Sequence, residues 1–347
     1  MSKTPRVSIG LPVYNGERYL ATTLEDLLGQ SFSDFELVVC DNASTDATPD
    51  LLEEAARQDS RVRIVRNREN IGALPNANKA FDGSRGELYV LSAYDDRHAP
   101  GFLAMLVEAL DASPEAGLAY GRCTLIDEDD QPLAFDCARR AYVDARGLAF
   151  DYDAQLERTL PRDRVGRYRA VLRSNDVNAP IHGLFRRRLL ERVGPHRLHG
   201  SDRLIVAHAA LLQSVAFVDA PLFGYRIHAE STYHLTRDEW LSREAGRNDA
   251  SSPLDGARTL KAYLGAVASS PLSVRERISA VYETFRYAVR PEVLQRLFQP
   301  GPDHYFGWTG SANENDPERE AGGGYSAAVL REKDWEWLRA RSCQSTG

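Results

Sequence analysis

Over the first third of the chain, two kinds of segment alternate, each with its own pattern of apolar and polar residues. Short apolar runs predict β-strands, and the segments between them, where apolar residues recur at helical spacing, predict amphipathic α-helices. Strands are expected at Val7–Pro12, Phe35–Cys40, Val62–Val65, Glu87–Ser92 and Gly117–Ile126, the last as one strand or two. Helices are expected at Glu17–Leu28, Thr48–Arg57, Leu74–Phe81 and Gly101–Leu110. This order is typical of an α/β fold with a mostly parallel sheet covered on both faces.

The pattern changes after residue 126. Residues 127–177 are charged and rich in arginine, and we expect an insertion of loops and helices there. Further on, the expected elements are a Gly-containing apolar segment Pro180–Phe185, helices Arg186–Val193 and Asp202–Leu212, and two short strands, Val215–Val218 and Leu222–Tyr225. Beyond His228 the pattern predicts helices Leu254–Leu264, Val274–Val289 and Asp334–Arg341, with a long flexible loop over 299–324.

Composition narrows the class of protein. The 347 residues are 43% hydrophobic, which is enough for a sizeable core, and the net charge of −7 argues against binding a nucleic-acid backbone. No apolar run approaches the ~20 residues that span a bilayer, and the first residues do not resemble a signal peptide. The four cysteines show no metal-binding spacing, so we expect reduced thiols and a cytoplasmic protein, with Cys40 buried in a strand.

Polar residues follow three of the predicted strands. Tyr14 and Asn15 follow the first, Asp41 closes the second, and Asp95 and Asp96 follow the fourth. Parallel strands bring their carboxyl ends to one edge of the sheet, where ligands bind in such folds. Two adjacent carboxylates are costly to bury unpaired, and their oxygens suit Mg²⁺ or Mn²⁺. Neither a dinucleotide-binding G-x-G-x-x-G nor a P-loop is present.

Four segments, taken together and in this order, match the motifs of a known family: Leu11–Glu17, Val39–Asp46, Asn67–Gly72 and Ser92–Asp96. Together they resemble the family 2 glycosyltransferases of the GT-A fold, closely over 5–126 and more loosely over 178–232. The resemblance implies a Rossmann-like α/β domain over 1–232, with a donor-binding half at 1–126 and an acceptor-binding, catalytic half at 127–232. A mainly helical extension would cover 233–347, and a homo-oligomer formed through it is one expectation.

The resemblance also implies an activity and a set of site residues. The activity is inverting transfer of a sugar from a UDP, GDP or dTDP donor to a hydroxyl of a glycan, lipid, protein or small molecule, assisted by Mn²⁺ or Mg²⁺. The matching donor-binding residues are Pro12, Tyr14, Asn15, Glu17, Asp41, Asn70, Gly72, Asn78 and Asp95. Asp96 matches the metal ligand, with His228 as a second ligand and Asp95 facing the ribose or a metal-bound water. Asp202 matches the general base, and His182 and Gly183 match contacts to the sugar or the acceptor.

Several of these residues also have a purely structural interpretation. Asp41 is a good turn-former, Glu17 suits the first turn of any helix, and Asp202 complements a helix dipole behind the capping residue Ser201. Ala93 and Ser201 stand where the family often has acidic residues, so a catalytically inactive nucleotide-sugar-binding or scaffolding protein is an alternative. A sugar nucleotidyltransferase would need a Gly-rich activating loop after the first strand, which Leu11–Glu17 lacks.

Overall fold

The central feature of the fold is an eight-stranded sheet. The computed structural model describes residues 4–138, 141–144, 147, 149–150, 156, 159–174, 178–194, 201–228 and 255–290. The strands are β1 (Val7–Val13), β2 (Phe35–Asp41), β3 (Val62–Arg66), β4 (Leu88–Leu91), β5 (Arg97–His98), β6 (Ala116–Ile126), β7 (Ala134–Asp136), β8 (Ala141–Val143), β9 (Ala149–Phe150), β10 (Leu184–Arg186) and β11 (Ser214–Arg226). The helices are α1 (Leu20–Leu28), α2 (Thr48–Gln58), α3 (Ala73–Asp82), α4 (Phe102–Ala112), α5 (Arg164–Arg173), α6 (Asn178–Ile181), α7 (Arg187–Val193), α8 (Ser201–Leu212), α9 (Asp255–Ser269) and α10 (Val274–Ala288).

The strand order in the large sheet is β3-β2-β1-β4-β10-β6-β11-β5. Strand β1 runs parallel to β2 and β4 on its two sides, and β3 runs parallel to β2. Strand β10 is antiparallel to both of its neighbours, whereas β11 runs parallel to β6 and antiparallel to β5. The α/β class predicted from the sequence is confirmed. Because β1, β2 and β4 are parallel, their carboxyl ends lie at one edge of the sheet.

Hydrophobic residues on the two faces of the sheet form two main cores. Alternate residues of β1 and β2, such as Ile9 and Leu37, pack in one cluster with α1, α2 and α4. The other cluster joins β6 and β11 to α5, α8, α9 and α10. Among the described residues, no helix is both long enough and apolar enough to cross a membrane.

The two C-terminal helices share the second core. Tyr263 of α9 and Ala280 of α10 belong to the same buried cluster as Tyr168 of α5. The Tyr168 hydroxyl lies 2.7 Å from the Thr284 hydroxyl, and Arg169 Nε donates to buried Glu283 at 2.7 Å. The helices predicted at 254–264 and 274–289 are therefore present and pack directly on the rest of the fold. The loop predicted over 299–324 and the helix predicted at Asp334–Arg341 lie outside the described residues.

Three predicted elements differ in the structure. The two strands expected between 215 and 225 are one long strand, β11, whose register shifts on either side of Pro221, because proline has no N–H for the ladder. The region 127–177 contains a three-stranded antiparallel sheet, β7-β8-β9, besides helix α5. Its strands have two or three residues each, too short for a visible alternation. The segment Pro180–Phe185 is split between the helical turn α6 and strand β10.

A buried carboxylate, Glu36, stabilises the end of the sheet opposite the carboxyl ends of the parallel strands. Glu36 accepts hydrogen bonds from Ser8 Oγ (2.7 Å), Arg63 Nη1 (2.8 Å) and Arg85 N (2.7 Å). Burial alone would raise the pKa of Glu36, but these hydrogen bonds outweigh it, so the pKa lies below its ordinary value. This cluster is remote from the carboxyl ends of the strands and serves the stability of the sheet.

Candidate functional site

The loops that follow β1 and β2 are joined by side chains of predicted site residues. Asn15 has a positive φ of 49°, and its Oδ1 accepts from Thr45 N at 2.9 Å. Glu17 Oε2 accepts from Ala47 N, the residue that caps α2, at 2.9 Å. In the structure, therefore, Asn15 and Glu17 hold the two loops in place at the carboxyl edge of the sheet.

Asp41 ends β2 at the same edge and is 2% exposed. Its Oδ1 accepts from Ser44 N at 3.0 Å, so the turn-forming role considered from the sequence is present. Asn42 N donates to Val13 O at 2.9 Å, which connects the end of β2 to the end of β1. Tyr14, the residue after Val13, is half-buried. The structure thus brings Tyr14 and Asp41 to neighbouring strand ends.

A network of asparagines supports the adjoining loop after β3. Asn70 Oδ1 accepts from Asn42 Nδ2 at 2.7 Å and from Gly72 N at 2.9 Å. Asn67 Nδ2 donates to the Oδ1 atoms of both Asn42 (2.9 Å) and Asn76 (2.8 Å). Gly72 has a φ of 89°, a conformation that favours glycine. Asn70 and Gly72 therefore shape the turn that leads into α3.

Asp95, in the segment that follows β4, contacts His228. His228 Nε2 lies 2.9 Å from Asp95 Oδ2, and the side chains are 2% and 20% exposed, respectively. The imidazole also packs against the ring of Tyr19, with 5.1 Å between the ring centroids. His228 thus meets the first carboxylate of the Asp-Asp pair.

Asp96 turns away from that contact and is 1% exposed. Its Oδ1 accepts from Arg226 N at 2.9 Å, whereas its Oδ2 has no hydrogen-bond partner among the described residues. Burial, reinforced by the neighbouring Asp95 carboxylate, raises the pKa of Asp96 well above its ordinary value. The two adjacent carboxylates therefore have different environments.

A chain of ion pairs, most of its side chains buried, supports the Asp-Asp segment. Arg226 Nε donates to the Asp95 carbonyl at 2.6 Å, and its guanidinium pairs with Asp130. Asp130 also pairs with Arg97, whose Nε donates to Asp26 at 2.6 Å. Sequence reasoning did not identify Asp26, Arg97 or Asp130, because these pairs join residues far apart in the chain and leave no local pattern.

His182 and Gly183 lie beside the end of β4. His182 Nδ1 lies 3.0 Å from the Leu91 carbonyl, which only accepts, so this nitrogen carries the proton. Its ring stacks on Phe223 with 4.8 Å between centroids. A Cβ on Gly183 would lie 2.6 Å from Ala119 O, so glycine is required for packing against β6. Gly183 is buried and supports the position of His182.

Asp202 is exposed in the first turn of α8. Ile205, three residues later and hence on the same helix face, lines an apolar cleft together with Asn78, Leu91 and Ile181. Leu91 ends β4 and Ile181 precedes His182, so this cleft borders several of the predicted site residues. Helix α8 therefore contributes Ile205 to a cleft that also contains Leu91 at the end of β4.

The spacing of Asp95 and His228 fits two ligands of a divalent cation. No cluster of three or more His, Cys, Asp or Glu side chains suited to a metal occurs in the part of the chain that the structure describes. Asp95 Oδ2 and His228 Nε2, however, are 2.9 Å apart. Two adjacent ligands at ~2.1 Å from one octahedral ion would be separated by about 3 Å. The pair fits a cation whose remaining ligands come from phosphate and water.

Comparisons with known proteins agree with this arrangement. Residues 8–194 match the family described as "Glycosyl transferase family 2". The chain is 29% identical over 240 residues to a Bacillus subtilis (strain 168) protein named as a glycosyltransferase, EpsH, covering 66% of this chain and 63% of EpsH. It is 30% identical over 129 residues to TuaG of the same organism, named as a teichuronic acid biosynthesis glycosyltransferase, covering 37% of this chain and 51% of TuaG. The chain thus spans less than two thirds of the length of these two relatives.

The fold is also similar to that of a solved structure. TarS of S. aureus (residues 1–349), in complex with UDP-GlcNAc, aligns with a TM-score of 0.61 at 17% identity, covering 84% of this chain and 78% of TarS. Another crystal structure of the same TarS fragment, with UDP, aligns with a TM-score of 0.58 over 84% and 74% of the two chains. This likeness confirms the GT-A type of α/β fold. Because the family match covers more than half of the chain, the protein belongs to glycosyl transferase family 2.

Proposed function

We propose that the protein transfers a sugar from a nucleoside diphosphate sugar to an acceptor hydroxyl, with inversion at the anomeric carbon. The observation that carries the proposal is the convergence of Asp41, Asp95 and His228 at one edge of the sheet. The solved complexes of TarS with UDP and UDP-GlcNAc support uridine nucleotides as the first donors to test.

The nucleoside would bind where the loops after β1 and β2 meet. Tyr14 offers a flat face for a base, and the Asp41 carboxylate accepts hydrogen bonds from a base ring N–H. Asn15 and Glu17 contribute by holding these loops together through Thr45 and Ala47. Preorganised loops lower the cost of ordering the site when the donor binds.

The diphosphate would lie over Asp95 and His228. We assign these two side chains as the protein ligands of a divalent cation, Mn²⁺ or Mg²⁺. When bound, the cation supplies positive charge that stabilises the departing diphosphate. The geometry favours Asp95 over Asp96 as the carboxylate ligand, since Asp95 Oδ2 lies 2.9 Å from His228 Nε2, whereas Asp96 Oδ1 already accepts from Arg226 N. Asp96 would instead position Arg226 and, through it, the Asp95 backbone.

The acceptor hydroxyl would be deprotonated by Asp202. An Asp in the first turn of a helix tends to stay ionised, because the helix dipole favours its charge. Asp202 would accept the hydroxyl proton while the acceptor oxygen attacks the anomeric carbon and the bond to the diphosphate breaks. This single displacement forms no covalent sugar–enzyme intermediate, so the product has the opposite anomeric configuration. His182, which follows the cleft residue Ile181 and stacks on Phe223, would contact the sugar or the acceptor.

Thermal-shift and calorimetric titrations test the donor site. UDP, GDP and dTDP, and their sugars, are titrated with Mn²⁺ against wild type and Asp41→Asn. A ligand at about a hundred times its Kd stabilises the protein by ~2.7 kcal/mol. Asp41→Asn keeps an Oδ1 acceptor for Ser44 N but presents an amide donor to the base, so we expect affinity to fall by about 10–100-fold, the effect of losing a charge-assisted hydrogen bond.

Asp219→Asn is the matched control, because this side chain is 83% exposed and pairs with Arg122 on β6. It should bind every nucleotide as wild type does. If no nucleotide stabilises the protein, or if Asp41→Asn binds as tightly as the control, the proposed donor site is wrong.

A further inference from the structure

Helix α10 exposes a row of large apolar side chains on the surface of the protein. Val274, Ile278, Tyr282, Phe285 and Val289 are 77%, 66%, 59%, 47% and 60% exposed, respectively. Elsewhere in the described part of the chain, only two large hydrophobic side chains are exposed, Met105 at 37% and Phe135 at 39%. Scattered exposed apolar residues need no explanation, whereas a contiguous row is typical of an interaction surface.

These five residues, which we call the α10 stripe, lie on one face of the helix. At about 100° per residue they fall within roughly 80° of arc, and the row is ~22 Å long. The residues of α10 that are buried against the fold lie outside this arc and include polar groups: Ala280, Glu283, Thr284 and Ala288. The described part of the fold therefore covers a different side of α10 and leaves the stripe exposed.

The charges that flank the stripe have one sign. Arg275 and Arg286 are exposed. Measured around the helix from Val274, they lie at roughly 100° and 120°, just beyond the roughly 80° arc of the stripe, so both border the same side of it. The acidic residues of this helix are used elsewhere: Glu276 accepts from Ser273 in the capping box, and Glu283 is buried with Arg169. The chain as a whole carries a net charge of −7, so this basic border is a local feature.

We propose that the α10 stripe docks the protein on an anionic membrane surface. An apolar helix face with arginine beside it lies in the plane of a bilayer interface, where the apolar residues enter the acyl boundary and the guanidinium groups meet anionic headgroups. Tyr282 suits this depth, because its ring is apolar and its hydroxyl is polar.

A second copy of the chain fits the stripe less well. In a symmetric antiparallel pair, the two-fold axis places the same flank of both helices on one side. Arg275 and Arg286 of both copies would then face each other, whereas Glu276 lies about 80–100° further round the helix and accepts from Ser273. Like charges in such an arrangement oppose pairing, whereas anionic lipid headgroups neutralise them.

Vesicle flotation of the full chain tests the proposal. Vesicles of phosphatidylcholine are compared with vesicles that also contain phosphatidylglycerol, for wild type, Ile278→Ser/Phe285→Ser and Arg275→Glu/Arg286→Glu. We expect wild type to float with the anionic vesicles, and the apolar variant to partition more than ~10-fold less. The charge variant should lose the preference for anionic over neutral vesicles, and salt should weaken wild-type binding.

The matched control is Met105→Ser/Phe135→Ser, which removes the two exposed apolar side chains outside the stripe and should float like wild type. All sites are exposed, and unchanged melting temperatures verify folding. Light scattering is measured in parallel. Absence of wild-type flotation, equal flotation of all variants, or a dimer that the stripe variants dissociate without any vesicle binding would each overturn the proposal.

Discussion

Neutralising each member of the Asp95–Asp96 pair separately distinguishes the two assignments of the metal ligand. Asp95→Asn removes the charge that faces His228 across 2.9 Å. A contact to a charged group contributes ~1.5–3 kcal/mol, so nucleoside diphosphate affinity in the presence of Mn²⁺ should fall by about 10–100-fold. Without a divalent cation, wild type and the variant should bind the nucleotide equally weakly.

Asp96→Asn is expected to behave differently. The amide keeps an oxygen for Arg226 N and replaces a buried carboxyl group whose ionisation burial already opposes. Such a replacement leaves no new buried charge, so the cost in stability should be within ~1 kcal/mol. Nucleotide affinity with Mn²⁺ should stay within a factor of ~3 of wild type, since the side chain contacts backbone and not the ligand.

Isothermal titration with and without Mn²⁺, combined with urea unfolding, measures both quantities for both variants. The exposed Asp219→Asn serves as the control for loss of one negative charge. If Asp96→Asn loses the Mn²⁺-dependent affinity while Asp95→Asn retains it, the assignment from the contacts of the two carboxylates is refuted and Asp96 is the ligand, as the resemblance implied.

The remaining predictions concern the base, the cation and the sheet. Asp202→Asn should lower kcat by ~10²–10⁴-fold with little change in donor affinity, and NMR of the wild-type product should show an inverted anomer; near-normal turnover would remove Asp202 from the chemistry. A chelator should abolish transfer, and Mn²⁺ or Mg²⁺ should restore it; full activity in chelator contradicts the cation's role. Glu36→Gln should cost ~1–3 kcal/mol of unfolding free energy near neutral pH, measured in urea. Because folding lowers the pKa of Glu36, its contribution is present above the ordinary carboxyl pKa and is lost as pH falls through the folded pKa; a difference that persists in acid contradicts this.

The sequence predicts the donor half of the fold well, since its strands and helices are long enough to show their periods. Strand β2 and helix α2 differ from the predicted bounds by a single residue at most. The prediction is weaker where the elements are short, as in β7, β8 and β9, or where proline interrupts a strand, as in β11. Local patterns also do not reveal which strands pair, so the insertion of β10 between β4 and β6 appears only in the structure.

The site shows the same division between local and distant information. Turn-forming strings at strand ends place Tyr14, Asp41 and Asp95 at one edge, because parallel strands share a polarity. The interactions that orient these residues come from distant parts of the chain. Arg226 donates to the carbonyl of Asp95, 131 positions away in the chain, and no local pattern in the sequence predicts that contact.

The two adjacent carboxylates show why distant contacts decide a functional assignment. Asp95 lies in a bend between β4 and β5, and the two carboxylates have different partners there: Asp95 contacts His228, whereas Asp96 accepts from Arg226 N. The sequence pattern is nearly symmetric between them. Strand β5 begins directly after Asp96 and pairs with β11, which brings Arg226 N to Asp96 and leaves Asp95 beside His228. Under the proposed function, the pairing of this two-residue strand would therefore decide which carboxylate is available for a cation, and strand β11, which ends two residues before His228, would bring the imidazole to the same place.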